Sequence, residues 1–280
     1  MIRYLVRRAG ALGDVLCATP VVRELRRLHP EAEIYVDTGH PAVFLRNPHV
    51  TPGARPLDFD HVISLDMAYE RTPRRHVVDS YLIEAFGNAK ADKTIELHGL
   101  GYIGGAPYIA IHAASSWRNR TMTSGFWMDV ARHILAKSDI DVMWIGSGRD
   151  FGLLGGGATG SRVIDQRNKN DLIWSATLIA NARCLIASDS SMIHLAGTTE
   201  TPVVGIFTSA AAKYRMPYRH GELGWQVTAF EPDIECAGCL ADEPAPATFC
   251  GCRRGDFACV DLIDPVSVAD AALAYARVVR

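Results

Sequence analysis

Short apolar runs alternate with amphipathic stretches along almost the whole chain, and this alternation limits the fold more than any other feature. In the first hundred residues, runs at 2–6, 33–36 and 61–65 are typical of strands, and stretches at 14–28 and 77–86 of helices. Strands separated by helices form parallel sheets with helices packed on them. The pattern therefore predicts an α/β fold.

A break at 99–107, rich in glycine and proline, separates two similar halves. After it the pattern resumes, with predicted strands at 108–112, 141–145, 183–187 and 202–207 and helices at 126–137, 171–180 and 191–197. We therefore predict an N-terminal domain over 1–103, a C-terminal domain over 104–264, and a final helix over 265–280 that packs back on either half.

Composition excludes several classes of protein. The chain has 280 residues, of which 48% are hydrophobic and 21% charged, so it can bury real cores. Its net charge of −2 gives no reason to expect a nucleic-acid partner. No apolar run approaches the roughly 18 residues of a transmembrane helix, and the start lacks the features of a signal peptide. We expect a cytoplasmic protein, with peripheral membrane association left open.

The first candidate site is RRAGALGDVLCATP, where a predicted strand turns into a helix. Ligands of parallel α/β folds gather at such strand ends, and Asp14 lies there. Two interpretations stay open for this residue. Asp14 is either an N-cap that accepts hydrogen bonds from the first helical turn or an exposed catalytic carboxylate.

Two more candidate sites follow strands in the second half. In ASDSSMIHLA, backbone donors at Asp189, Ser190 and Ser191 could hold a phosphate, with His194 one turn later. The alternative is an ordinary helix cap followed by a half-buried histidine.

The other site is HAASSWRNR, where Ser115 and Ser116 offer hydroxyl groups and Arg118 and Arg120 offer positive charge. An arginine fork suits a diphosphate, because it makes bidentate hydrogen bonds. The alternative is a solvated polar loop.

Five of the seven cysteines fall between Cys236 and Cys259. Cys236 and Cys239 have the spacing of a zinc half-site, and Cys252 with Cys259 or Cys250 could complete four sulfur ligands. Zinc or iron would fit such a set. Reduced, buried cysteines and a nucleic-acid-binding ribbon are the alternatives to this structural clip.

Together these motifs resemble glycosyltransferase family 9, which includes the bacterial ADP-heptose heptosyltransferases. RRAGALGDVLCATPVV is similar to the N-terminal signature R-x-G-A-x-G-D followed by T-x-P, and ASDSSMIHLAGTTETP to the signature D-[ST]-G-x-x-H-L-A-A-A-x-x-x-P. Many members also have C-x2-C followed by two cysteines with six residues between them, as Cys252 and Cys259 have. This spacing favours Cys252 over Cys250 as the third ligand.

The resemblance implies a GT-B fold, in which two Rossmann-like domains face a cleft and bind the acceptor and the nucleotide-sugar. It implies an inverting reaction without a cofactor, with Asp14 as general base and Arg120 at the leaving diphosphate. The positions that it assigns to the donor are Gly13, Ser115, Ser116, Asp150 (ribose), Asn170 (base), Asp189, Ser190, Ser191 and His194.

Three departures from the family pattern remain. Ser191 replaces a common glycine, Arg120 replaces a common lysine, and the first half is short. The leading hypothesis is transfer of a sugar, heptose from ADP-heptose, to a lipopolysaccharide core, another surface glycan or a protein. The alternative is a non-catalytic protein of the same fold that binds sugar nucleotides.

Overall fold

The computed structural model describes residues 1–154, 160–242 and 251–277. Its first lobe is built on three parallel strands, β1 (Arg3–Arg8), β2 (Glu33–Thr38) and β3 (His61–Ser64). They lie in the order β2-β1-β3. The central strand β1 is the most buried of the three, and the chain leaves it at the point where the sheet order reverses.

The helices of the first lobe are α1 (Leu12–Cys17), α2 (Thr19–Leu28) and α3 (Val77–Phe86). The predicted bounds of α3 are confirmed to the residue. The single helix predicted over 14–28 is wrong, because the chain forms two helices that meet at Ala18. Pro20 lacks the N–H group that a continuous helix needs, and the hydroxyl of Thr19 donates to the carbonyl of Leu16 at the break.

The second lobe contains a parallel six-stranded sheet. Its strands are β4 (Tyr108–His112), β5 (Asp141–Trp144), β6 (Val163–Asp165), β7 (Cys184–Ser188), β8 (Val203–Ile206) and β11 (Val227–Phe230). The sheet order is β11-β8-β7-β4-β5-β6. Since β4 continues on one side to β5 and on the other meets β7, the crevice between β4 and β7 is the expected ligand position.

Among the residues that the structure describes, five α-helices belong to the second lobe. They are α4 (Ser124–Lys137), α5 (Gly148–Leu154), α6 (Leu172–Ala180), α7 (Ser191–Ala196) and α8 (Pro265–Ala276). A two-residue hairpin, β9 (Tyr218–Arg219) with β10 (Glu222–Leu223), lies between β8 and β11. The elements α5, β6, β9, β10 and β11 had no counterpart in the predicted pattern.

One hydrophobic core runs through both lobes. It includes Val6, Leu16 and Leu25 from the first lobe and Leu185, Ile193 and Val203 from the second. A second core lies on the opposite face of the larger sheet, and there α8 packs on α4 through residues such as Val268 and Leu273. The final helix therefore belongs to the second lobe, one of the two placements that the sequence left open; residues 278–280 lie outside the described ones.

Within the described ranges, no helix combines the length and the apolar composition needed to span a bilayer.

Candidate active site

Asp14 occupies the third position of α1, immediately beyond the end of β1. The N-cap of this helix is Ala11, so the helix begins two residues before the predicted start. The Asp14 carboxylate accepts a hydrogen bond from the Ala11 N–H at 3.0 Å through Oδ2. Asp14 therefore helps to close the helix start, and its side chain also lines the cleft between the lobes.

A buried arginine holds Asp14 in place. Arg8, at the end of β1, is 4% exposed, and its Nη2 lies 3.1 Å from Asp14 Oδ2 and 2.7 Å from Glu70 Oε1. Burial alone would lower the pKa of Arg8, but the surrounding Tyr81, Asp14 and Glu70 outweigh it and raise that pKa. The cation therefore stays charged beside Asp14.

Gly10 makes this contact sterically feasible. A Cβ atom at Gly10 would lie 2.6 Å from Asp14 Oδ2 and 2.7 Å from Arg8 Nη2. Such distances are shorter than real contacts, so any side chain would displace the ion pair. The first glycine of the RRAGALGD motif thus leaves room for Arg8 to pack on Asp14 in the observed geometry.

On the opposite wall, Arg120 pairs with Asp189. Their Nη1 and Oδ2 atoms are 2.8 Å apart, and the guanidinium stacks on Trp117 with its centre 3.9 Å from the ring centroid. Asp189 is 2% exposed. Burial would raise the pKa of Asp189, but Arg120 and Arg215 outweigh that effect and hold it below its usual range.

Ser190 and Asp150 are connected through His112. Ser190 caps α7, accepting from the Met192 N–H, and its Oγ lies 3.2 Å from His112 Nδ1. His112 Nε2 lies 3.5 Å from Asp150 Oδ2. These contacts join the ends of β4 and β7 to the first turn of α5.

Asp150 already holds the loops around it. Its carboxylate accepts N–H bonds from Ala113, Ala114 and Ser147 at 2.8–3.1 Å, and the residue is completely buried. Burial favours its neutral form, but His112 and the N–H donors outweigh burial and lower the pKa of Asp150. Its contact with a ribose stays a prediction, since the present bonds give it a supporting role.

The two lobes touch where α1 meets α7. His194 Nδ1 lies 3.5 Å from Cys17 Sγ, and a Cβ atom at Gly13 would lie 2.8 Å from His194 Cδ2. Burial lowers the pKa of His194 to about 4, with Arg215 and Arg120 acting in the same direction. The imidazole is therefore neutral near pH 7.

A cleft of about 460 Å³ opens between these walls. It brings together ten of the residues predicted from the sequence: Gly13, Asp14, Ser115, Ser116, Arg120, Asp150, Asp189, Ser190, Ser191 and His194. Asn170 is not among the lining residues; its side-chain amide donates to the Gln166 carbonyl at 2.7 Å. Its position beside a base stays a prediction.

Several residues that line the cleft do not belong to the motifs recognised in the sequence. Tyr69, Arg149 and Arg215 line it together with His40 and Trp117. None of the first three belongs to a recognised motif, although Tyr69 and Arg215 lie in loops that follow β3 and β8. The position of these loops after parallel strands is the signal that could have indicated them.

Four of the clustered cysteines, Cys236, Cys239, Cys252 and Cys259, are free thiols near the second lobe, and Cys250 lies outside the described residues. Burial and the three neighbouring thiols raise the pKa of Cys259 to about 11. Backbone N–H groups following Cys252 outweigh its slight burial and lower its pKa. In the described part of the chain, no group of three or more His, Cys, Asp or Glu side chains is placed to hold a metal ion.

Solved structures share the overall architecture. TibC, a glycosyltransferase from enterotoxigenic E. coli solved as an iron-containing dodecamer with ADP-D-β-D-heptose, has a TM-score of 0.76 at 18% identity, covering 99% of this chain and 76% of TibC. A family 9 glycosyltransferase from Veillonella parvula has a TM-score of 0.74 at 16% identity, covering 98% and 97% of the two chains. The E. coli ADP-heptose lipopolysaccharide heptosyltransferase II has a TM-score of 0.69 at 12% identity, covering 99% of this chain and 98% of that chain.

These likenesses confirm the predicted GT-B fold of two α/β lobes facing a cleft. No curated protein matches the sequence. The sequence model of glycosyltransferase family 9 (heptosyltransferase), however, matches residues 39–240, which is well over half of the chain. The chain therefore belongs to glycosyltransferase family 9 and is a glycosyltransferase enzyme.

Proposed function

We propose that this chain transfers heptose from ADP-heptose to an acceptor hydroxyl with inversion at the anomeric carbon. The proposal rests on one observation. Asp14 lies on one wall of the cleft and faces the opposite wall, which carries Asp189 and the arginines around it. A base and a cationic wall facing each other suit a displacement in which a proton leaves on one side and a diphosphate on the other.

Asp14 acts as the general base. In the described part of the chain, Oδ2 pairs with Arg8 and accepts the hydrogen bond of the Ala11 N–H. Oδ1 therefore remains available to bind the acceptor hydroxyl. The acceptor oxygen gives its proton to Oδ1 and attacks the anomeric carbon from the face opposite the leaving group. The carbon–oxygen bond to the diphosphate breaks, and the diphosphate keeps the electron pair.

The second lobe binds the donor. Arg120 and the hydroxyl groups of Ser115, Ser116, Ser190 and Ser191 lie along the wall where the diphosphate would be held. In this proposal Asp150 lies near the ribose and Asn170 near the base of the nucleoside. The family description and the ADP-heptose bound to TibC support this donor. A lipopolysaccharide core, another surface glycan and a protein are the acceptors to test.

A structural zinc or iron ion at Cys236, Cys239, Cys252 and Cys259 is part of the proposal. Support comes from the spacing of these cysteines and from the iron-containing structure of TibC, although the described thiols are not placed as a group that holds a metal. The ion would brace the segment and take no part in transfer. We also propose that the chain divides into two domains near residue 103, because the glycine-rich break lies between the lobes.

Nucleotide-dependent stability tests the donor. Unfolding midpoints are measured with saturating ADP, UDP, GDP or no nucleotide; a ligand at 100 times its Kd adds about 2.7 kcal/mol. We expect a rise of several degrees with ADP alone. A rise with UDP or GDP would replace the donor, and no rise with any nucleotide would contradict the proposal.

The Asp14→Asn variant tests the base. We expect transfer from ADP-heptose to fall by about 10²- to 10⁴-fold, because the amide cannot accept the proton, while ADP binding is unchanged. The control is Asp92→Asn, which removes an exposed carboxylate of the first lobe and should retain full activity. Unchanged turnover in Asp14→Asn would contradict the assigned role.

A further inference from the structure

We propose that Arg215 is a further catalytic residue of this enzyme, the cation that binds the outer phosphate of the departing nucleoside diphosphate. The inference rests on the proposed function and deepens it, since it assigns a role at the leaving group to a residue outside both family signatures.

The fold delivers Arg215 to the cleft. A short turn, Ala212–Tyr214, ends the loop after β8, and the Arg215 N–H donates to the Ala212 carbonyl at 2.9 Å. The Ala212 N–H in turn donates to Glu231 Oε1 at 2.9 Å, just beyond β11. The backbone of Arg215 is therefore fixed at the edge of the sheet where β4 and β7 also end.

The side chain extends towards the first lobe. Its guanidinium carbon lies 4.9 Å from the centroid of the Tyr69 ring, and the residue lines the same cleft as Asp14 and Asp189. Its Nε is buried and has no hydrogen-bond partner among the residues that the structure describes. A buried donor without a partner costs free energy, which a ligand oxygen would recover.

Among the described residues, no carboxylate lies in direct contact with the Arg215 guanidinium. Arg120 already has a carboxylate partner in Asp189, at 2.8 Å, and Arg8 occupies Oδ2 of Asp14. Arg215 interacts with both carboxylates only through space, and these interactions outweigh its burial and raise its pKa. Two guanidinium groups thus share one buried carboxylate on this wall, which suits an added anion.

The reaction creates such an anion. When the anomeric C–O bond breaks, its electron pair stays on the oxygen of the outer phosphate, and the diphosphate gains one negative charge. The proton balance is met by Asp14, which takes the proton of the acceptor hydroxyl. An N–H of Arg215 donating to a phosphate oxygen would stabilise the developing charge more than the charge of the bound donor.

The experiment compares ADP with AMP, because only ADP carries the outer phosphate. Affinities are measured by calorimetry for the full-length protein and for Arg215→Met. We expect ADP affinity to fall about 10- to 100-fold, as for loss of a charged hydrogen bond, with AMP affinity unchanged. Arg215→Lys should recover part of the loss. The control is Lys213→Met, which removes an exposed cation from the same turn and should leave both affinities unchanged.

A second variant separates binding from lobe packing. Tyr69→Leu removes the ring under the guanidinium but keeps the cation, and we expect it to retain most of the preference for ADP over AMP. An Arg215→Met protein that keeps the full preference, or that loses ADP and AMP equally, would overturn the role of Arg215 alone. A wild-type protein that binds none of ADP, UDP and GDP would overturn the proposed function and this inference together.

Discussion

Arg8 Nη2 lies 3.1 Å from Asp14 Oδ2, and the arginine that makes this contact is almost completely buried. The same nitrogen lies 2.7 Å from Glu70, and Nη1 lies 3.6 Å from Asp66. One cation therefore serves three carboxylates at the edge of the first sheet. Because Asp14 keeps 19% of its side chain exposed to the cleft, the pair both fixes the carboxylate and leaves it accessible.

Replacing Arg8 with Met is expected to lower the free energy of unfolding by about 3 kcal/mol, because the buried Glu70 and the half-buried Asp14 lose their partner. Transfer should fall as well, since Asp14 is no longer oriented. Urea unfolding and turnover measure the two effects. The matched control is Arg3→Met on the same strand, whose solvent-exposed pair with Glu33 should contribute far less to stability. Equal effects of the two variants would contradict the importance of the buried pair.

Gly13→Ala is expected to destabilise the protein by about 1–3 kcal/mol, because the added methyl group would overlap His194 at 2.8 Å. Thermal unfolding measures the change. Gly152 provides a control of opposite sign: it lies in α5, and a Cβ atom there meets nothing within 4 Å. Gly152→Ala should therefore stabilise the helix by about 0.5–1 kcal/mol. A neutral Gly13→Ala would show that α1 and α7 are not closely packed.

Stability should fall as the pH drops below about 6.5. Burial lowers the pKa of His76 and of His194 to about 4. Between the ordinary histidine pKa and a pKa of about 4, the unfolded chain binds protons that the native protein excludes. Each residue can therefore lower the free energy of unfolding by up to about 3 kcal/mol. His76 accepts from the Val78 N–H and contacts the Met216 carbonyl at 2.8 Å, which requires the neutral ring.

Urea unfolding at pH 7 and pH 5 tests this dependence. In His76→Asn, which keeps an acceptor at the start of α3, we expect the loss of stability between the two pH values to be smaller. His220→Asn removes an exposed histidine and should leave the loss unchanged. The same loss in all three proteins would show that His76 does not titrate in this way.

The proposed cysteine clip predicts one zinc or iron ion per chain in the purified protein. Removal of the ion by a chelator should lower the unfolding midpoint, and Cys252→Ser should lose the ion, because a serine hydroxyl is a poor ligand for either metal. Elemental analysis gives the metal content. The control is Cys184→Ala, a buried cysteine of β7 outside the cluster, which should keep its metal. A metal-free wild-type protein with four reduced thiols would contradict the proposed clip.

Elements with a clear local pattern could be predicted from the sequence. The apolar run of β4 at Tyr108–His112 and the amphipathic period of α3 have the predicted bounds, because burial on one or both faces dictates them. Shorter elements such as β6, with three half-buried residues, carry too little pattern to be recognised. The break between α1 and α2 depends on Pro20, which is also common in a first helical turn.

The candidate site was predictable where a motif follows a strand, as at Asp14 and Asp189. Tyr69 and Arg215 could not be predicted from a motif. They come into contact only when loops from the two lobes face each other, and no local sequence pattern indicates that contact. The hydrogen bonds from backbone N–H groups to the Asp150 carboxylate could not be predicted either, because they join distant parts of the second lobe. Its donors at 113 and 114 lie 36 or more residues away in the chain.

The hydrophobic core that passes from Val6 and Leu16 to Leu185 and Ile193 has a consequence for folding. Neither sheet can complete its interior alone, because residues of the other sheet form part of it. Unfolding should therefore occur in one cooperative transition, and fragments divided near residue 103 should expose apolar surface and aggregate. Core substitutions on either side of the cleft should then lower the stability of both lobes together.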